Sequence, residues 1–207
     1  MSDGAPAPPA DLSPPLTFDG SRLARAVLRG LGWQLQFDGL PAAQGVLVVY
    51  PHTSNWDFPL GILAKWAIGM PVVFWGKQSL FAVPLIGRWL RWVGGRPVDR
   101  NAPGGVVDAA VLDLRQAREQ SRLCWLALAP EGTRARGAGW RSGFYRVASG
   151  AAVPLALGFI DFGRRRLGVL SCLRLSDDAD ADMAEIARRY EGVQGYRPAL
   201  AAPIRLT

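Results

Sequence analysis

Histidine is almost absent from this chain: His52 is the one example in 207 residues. A lone histidine cannot build a histidine-rich metal site. Cysteine is nearly as scarce, with only Cys124 and Cys172. Both sit in apolar runs and form no C-x-x-C pair. That excludes a disulfide framework and a cysteine zinc site, and the two read as reduced core thiols of a cytosolic protein. Lysine is rare too: of 24 basic residues, all but Lys65 and Lys77 are arginine. No basic tract, RNP-like run or zinc pattern accompanies the arginines, so nucleic acid is not the expected partner. An uninterrupted apolar stretch of about 18 residues is also missing, so no membrane-spanning helix is expected. The nearest candidate, residues 58–75, is broken by Pro59, Lys65 and Pro71. The N-terminus carries Asp3 and has no apolar signal core, so no signal peptide is expected.

What remains is positive and slightly apolar. The formal net charge is +7, and 49% of residues are hydrophobic. Arginine offers a planar fork to phosphate, so such a surface fits an anionic lipid or another phosphorylated partner. The length suits one α/β domain with a substantial core.

Residues 1–16, rich in Pro and Ala, are expected to form a disordered arm, followed by one domain over 17–207. Residues 21–35 read as a short basic amphipathic helix. Arg22, Arg25 and Arg29 share one face, and Leu23, Val27 and Leu31 another. It either lies on a membrane surface or packs on the domain with its arginines in water. Buried strands are expected at 45–50, 71–75, 123–128, 152–162 and 167–175, and helices at 59–69, 105–120 and 180–190. Residues 94–100 read as a turn leading into a short strand. The apolar segment 79–93 is either core or an exposed lipid-facing surface. Strands alternating with helices predict an α/β fold with a mostly parallel central sheet flanked by helices.

Three stretches carry chemistry. In the first, Asp57 follows His52 by five residues, right after a buried strand. Positions i and i+5 do not share a helix face. With His52 on a loop and Asp57 in the first helical turn, the carboxylate reaches back to one ring nitrogen. The other nitrogen is then free to take a proton. Ser54-x-x-Asp57 also matches a helix capping box, so the pair reads equally as a helix start. The second stretch, Pro130-Glu131-Gly132-Thr133-Arg134, ends another buried strand, where ligands collect in α/β sheets. Gly132 lets backbone approach a ligand, Thr133 adds a hydroxyl, and Arg134 adds a fork for phosphate. An ordinary basic turn is the alternative. The third, Arg96 and Arg100 around Asp99, reads by itself as a surface ion pair.

Taken in order, His52-x-x-x-x-Asp57, Gly95-x-x-x-Asp99-Arg100, Pro130–Arg134 and the apolar strand with Val153-Pro154-Leu155 resemble the glycerolipid acyltransferase family. The 1-acylglycerol-3-phosphate and lysophospholipid acyltransferases are its familiar members. The resemblance covers roughly residues 45–160 and implies that family's glycerol-phosphate-acyltransferase-like fold. It further implies O-acyl transfer from acyl-CoA or acyl-carrier protein to a lysophospholipid or glycerol-phosphate hydroxyl. His52 would be the general base and Asp57 its orienting partner, with no covalent acyl-enzyme. Glu131, Gly132, Thr133 and Arg134 would bind the acceptor, helped by Arg100 and Lys77. No cofactor or metal is implied beyond the acyl thioester co-substrate. An anionic membrane surface would be the partner, on the inner face of the cell membrane. A phosphate-binding module without catalysis and an acyl-thioester hydrolase are the two other readings of the same residues.

Overall fold

The computed structural model describes residues 14–98, 105–176 and 178–207. Residues 1–13 of the expected arm lie outside that range. Leu16, also placed in the arm, instead pairs its backbone with Leu40.

The strongest local signal is the run Gln44–Tyr50, which forms strand β2. Its side chains alternate: Val46, Val48 and Tyr50 enter one core cluster, and Leu47 and Val49 pack against clusters on the other face. Helices cover both faces, so after Gln44 the strand is apolar rather than alternating with polar residues. Six further strands join it: β1 (Gln34–Gln36), β3 (Val72–Lys77), β4 (Gly95–Val98), β5 (Cys124–Leu128), β6 (Leu155–Asp161) and β7 (Arg166–Leu173). The sheet order is β1-β7-β6-β2-β5-β3-β4. Every neighbouring pair is parallel except the β6–β7 hairpin. The expected α/β fold with a mostly parallel sheet is therefore what forms.

Helices α1 (Arg22–Gly30) and α2 (Asp57–Ile68) cover one face, burying Ala24, Leu28, Leu60 and Ala64 against Ile160 and Leu167. Helices α5 (Gly105–Glu119), α6 (Gly143–Gly150) and α7 (Ala179–Arg189) cover the other through Leu114, Phe144, Val147 and Ile186. The segment expected as either core or lipid surface folds into α3 (Gln78–Phe81) and α4 (Pro84–Trp92). Trp92 of α4 meets Trp66 of α2 at 5.5 Å between ring centroids, so α4 sits on the α2 face. None of the described helices is long and apolar enough to cross a membrane.

Two local expectations change. The first helix stops at Gly30 rather than 35, because residues 34–36 pair with β7 as an edge strand. Its buried stripe is Ala24 and Leu28, one position round from the expected Leu23, Val27 and Leu31, which face outward. Close approach of α1 to α2 favours the small Ala24. Arg25 donates from Nε to the Ala67 carbonyl at 2.7 Å. The expected turn at 94–100 also becomes strand early, since Gly95 already pairs with Phe74.

Candidate active site

Two strand ends bring the site together. β2 and β5 are parallel neighbours, with Val48 opposite Leu128, so the loops that follow them start side by side. One loop carries His52 and the other Glu131 to Arg134.

On the first loop, His52 Nδ1 lies 3.2 Å from Asp57 Oδ2. The same oxygen accepts the Ser54 N–H at 2.8 Å. The expected capping box does not form: Trp56 is the N-cap of α2 with no side-chain cap hydrogen bond, and Ser54 Oγ accepts the Trp56 N–H at 3.1 Å. Asp57 instead ties the Ser54 amide and the His52 ring together within the loop. Asp57 is the first residue of α2 and only 3% exposed. With Nδ1 on the carboxylate, Nε2 is the ring nitrogen left for a substrate, and the ring lines a cavity.

Glu131 holds this loop from beneath. Its Oε2 accepts the His52 N–H at 2.5 Å, and its Oε1 accepts the Ala202 N–H at 2.8 Å. The carboxylate is 3% exposed. Burial pushes its pKa up, against the pull of the two backbone donors. The Tyr50 hydroxyl donates to the Ala202 carbonyl at 3.0 Å. Burial, with help from the Glu131 charge, pushes that phenol up to about 12, so it stays a donor. Thr53 Oγ1 accepts the Arg197 N–H at 3.2 Å. Residues 197–202 therefore stitch the histidine loop in place. No sequence signal marks them, because they act through backbone groups 144 and 152 positions away from Thr53 and Tyr50.

On the second loop, Gly132, Thr133 and Arg134 line the same cavity as His52 and Asp57. Arg141, which belongs to none of the three stretches that carry chemistry in the sequence, joins them there. Gly132 has φ 66°, and a Cβ there would come within 2.7 Å of Arg141 Nε, so glycine lets that side chain close over the turn. Arg96 is drawn away, donating to Asp113 at 2.6 Å. Arg100 and Asp99 lie outside the described residues, as does the side chain of Lys77, whose backbone ends β3.

The cavity has a volume of about 710 Å³. From His52 and Arg134 it runs inward between α2 and the sheet, along Val49, Gly61, Ala64, Ile68, Phe74 and Ile160. Lys65 also faces it, but its Nζ donates to the Val93 carbonyl and burial lowers its pKa.

A family model described as Acyltransferase matches residues 35–158, more than half of the chain. This chain belongs to the acyltransferase family. The matched span of the acyltransferase includes both loops of the site. Among solved structures, the fold is similar to that of the 1-acyl-sn-glycerophosphate (LPA) acyltransferase PlsC from Thermotoga maritima. The TM-score is 0.52 at 18% identity, over 80% of this chain and 72% of that one. A search of curated proteins returns no match.

Proposed function

We propose that this acyltransferase moves a fatty acyl group from acyl-CoA or acyl-carrier protein to a hydroxyl of a lysophospholipid or glycerol-phosphate acceptor. One observation carries the reading. A histidine–carboxylate pair and two arginines, Arg134 and Arg141, line one cavity whose walls are otherwise mostly apolar. Nε2 of neutral His52 takes the proton of the acceptor hydroxyl as the oxygen attacks the thioester carbonyl. The C–O bond forms, the tetrahedral intermediate collapses, and the C–S bond breaks. His52 then gives its proton to the departing thiolate sulfur and returns to the neutral state. Asp57 stays ionised and fixes the tautomer. No covalent acyl-enzyme forms in this scheme. The N–H groups of His52 and Ser54 are already committed to Glu131 and Asp57, so the oxyanion needs other donors.

The acceptor's phosphate end falls to Gly132, Thr133 and Arg134, joined by Arg141, with Arg100 and Lys77 as further candidates. Glu131 acts here through the His52 loop rather than on the acceptor. Arg134→Ala is expected to raise KM for a phosphate-bearing acceptor about tenfold or more, since a charge-assisted hydrogen bond contributes roughly 1.5–3 kcal/mol. Steady-state kinetics on acceptors with and without the phosphate check this. The loss should appear only with the phosphate.

The acyl chain occupies the cavity behind α2. Gly61 supports this. A glycine inside a helix costs about 1 kcal/mol relative to alanine. Nothing lies within 4 Å of where its Cβ would be, so packing does not require it. It lines the cavity instead. Gly61→Leu is expected to leave short acyl donors active and to suppress transfer from long ones. A donor series from octanoyl- to palmitoyl-CoA measures the shift. An unchanged profile would move the chain elsewhere.

The decisive test of the activity is thiol release from palmitoyl-CoA with and without lysophospholipids, with lipid products identified by mass. Acceptor-dependent release with a matching ester product is the expected result. Acceptor-independent release would mark a hydrolase. No release from either CoA or carrier-protein donors would mark a binding module.

A further inference from the structure

We propose that the outer face of α4 is a docking surface for anionic bilayers. α4 has two apolar sides. Gly87 and Leu90 face inward and are buried. On the opposite side Leu85, Trp89 and Trp92 stand at i, i+4 and i+7, one stripe along the helix. They are 80%, 44% and 71% exposed. A helix on a soluble surface turns polar residues outward there. Arg88 borders the stripe on one side without interrupting it, and Arg91 lies further round on that side with its guanidinium 5.6 Å from the centroid of the buried Phe81 ring; both residues are exposed. When such a stripe enters a membrane interface, the bordering guanidinium reaches lipid phosphates, and tryptophan rings sit at headgroup depth.

The neighbouring helices extend this face. Both charges of α2 turn inward, Asp57 to His52 and Lys65 to the Val93 carbonyl. Trp66 of α2 links the flanking helices: its ring meets Trp92, and its carbonyl accepts the N–H of Ser21, the N-cap of α1. On α1, Leu23 is 74% exposed and Arg22 and Arg29 remain at the surface. The charge selects the occupant. The chain carries +7, and a second copy would bring arginine-flanked faces together with like charges opposed. An anionic bilayer complements both the stripe and its arginines.

The surface adjoins the cavity. The Trp89 ring lies 5.8 Å from the Phe58 ring, and Phe58 and Leu80 line the cavity. Docking through α4 lets lipid acceptors reach His52 from the membrane without crossing bulk water. That consequence rests on the acyltransferase mechanism above; the docking surface does not.

The experiment is co-sedimentation of the full chain with phosphatidylcholine vesicles, with and without phosphatidylglycerol, at low salt. Wild type is expected to bind the anionic vesicles. The double variant Leu85→Glu/Trp92→Glu is expected to bind about tenfold or more weakly, because both stripe contacts become acidic. Leu112→Glu, on α5 across the sheet and 57% exposed, is expected to bind as wild type. Circular dichroism checks that each variant folds. Absence of wild-type binding, or unchanged binding by the double variant, overturns the proposal. So does concentration-dependent self-association in ultracentrifugation that the double variant abolishes while vesicle binding persists. Transfer between a short-chain donor and a soluble acceptor should survive in the double variant. If wild type itself lacks transfer, the catalytic reading fails, and the vesicle comparison still judges the surface.

Discussion

Replacing His52 by alanine is expected to lower acyl transfer by about 10²–10⁴-fold, the usual contribution of a positioned general base. The fold should survive. The His52 side chain is partly exposed, and its backbone N–H, which Glu131 holds, is unchanged by the substitution. Asp57 also keeps its Ser54 N–H. The expected signature is a fall in kcat with little change in the acceptor's KM, because the lost group acts on the proton in flight rather than on binding. Asp57→Asn should fall in the same direction, since an amide offers Nδ1–H a weaker partner and loosens the tautomer. Thiol-release kinetics give the rates, and a urea unfolding midpoint close to wild type shows the fold is intact. Retention of most of the turnover in His52→Ala would remove that residue from the mechanism.

Glu131→Ala is the second large effect, and it should strike activity and stability together. The substitution leaves the N–H groups of His52 and Ala202 without their acceptor. Each buried unpaired donor costs about 1–3 kcal/mol, offset in part by removal of a buried charge. A net loss of about 2 kcal/mol is expected, with turnover lowered about 10²-fold as the His52 loop loosens. Glu131→Gln separates charge from shape. The folded pKa of Glu131 is raised by burial. As pH climbs from the ordinary glutamate range toward that raised value, the unfolded chain releases its proton first. Wild type then loses stability over that window relative to Glu131→Gln, which does not titrate there. Urea midpoints of both proteins between about pH 4 and 7 measure the difference. A slope of the opposite sign would mean that the two backbone donors outweigh burial and hold the carboxylate ionised.

Asp57 illustrates how far local reading reaches. Its spacing from His52 and Ser54 reads as either a histidine-orienting carboxylate or a capping box. The geometry sets one oxygen against the His52 ring and the Ser54 amide, while the helix itself starts on Trp56 without a side-chain cap. Gly132 and Arg134 likewise lie where the strand-end argument puts them, on the cavity that His52 lines. Glu131 shows the limit. A carboxylate in a turn reads as ligand-binding, yet here it points beneath the loop onto two backbone amides. Arg141 was hidden for a related reason: only the close approach permitted by Gly132 gives it a place at the cavity. On α1, periodicity found an apolar stripe, but contact with α2 chose the small neighbouring Ala24.

The sequence by itself determined the elements whose information is local: the apolar strands, the loop between β2 and α2, and the residue types at the two strand ends. Side-chain period and loop chemistry act over a few residues, so they are written in order along the chain. Tertiary structure decided what depends on distant segments meeting. It put Ala202 and Arg197 under the His52 loop, opened the cavity between α2 and the sheet, and left the stripe on α4 uncovered. Those outcomes rest on backbone partners, packing distances and strand order, none of which leaves a pattern in neighbouring residues.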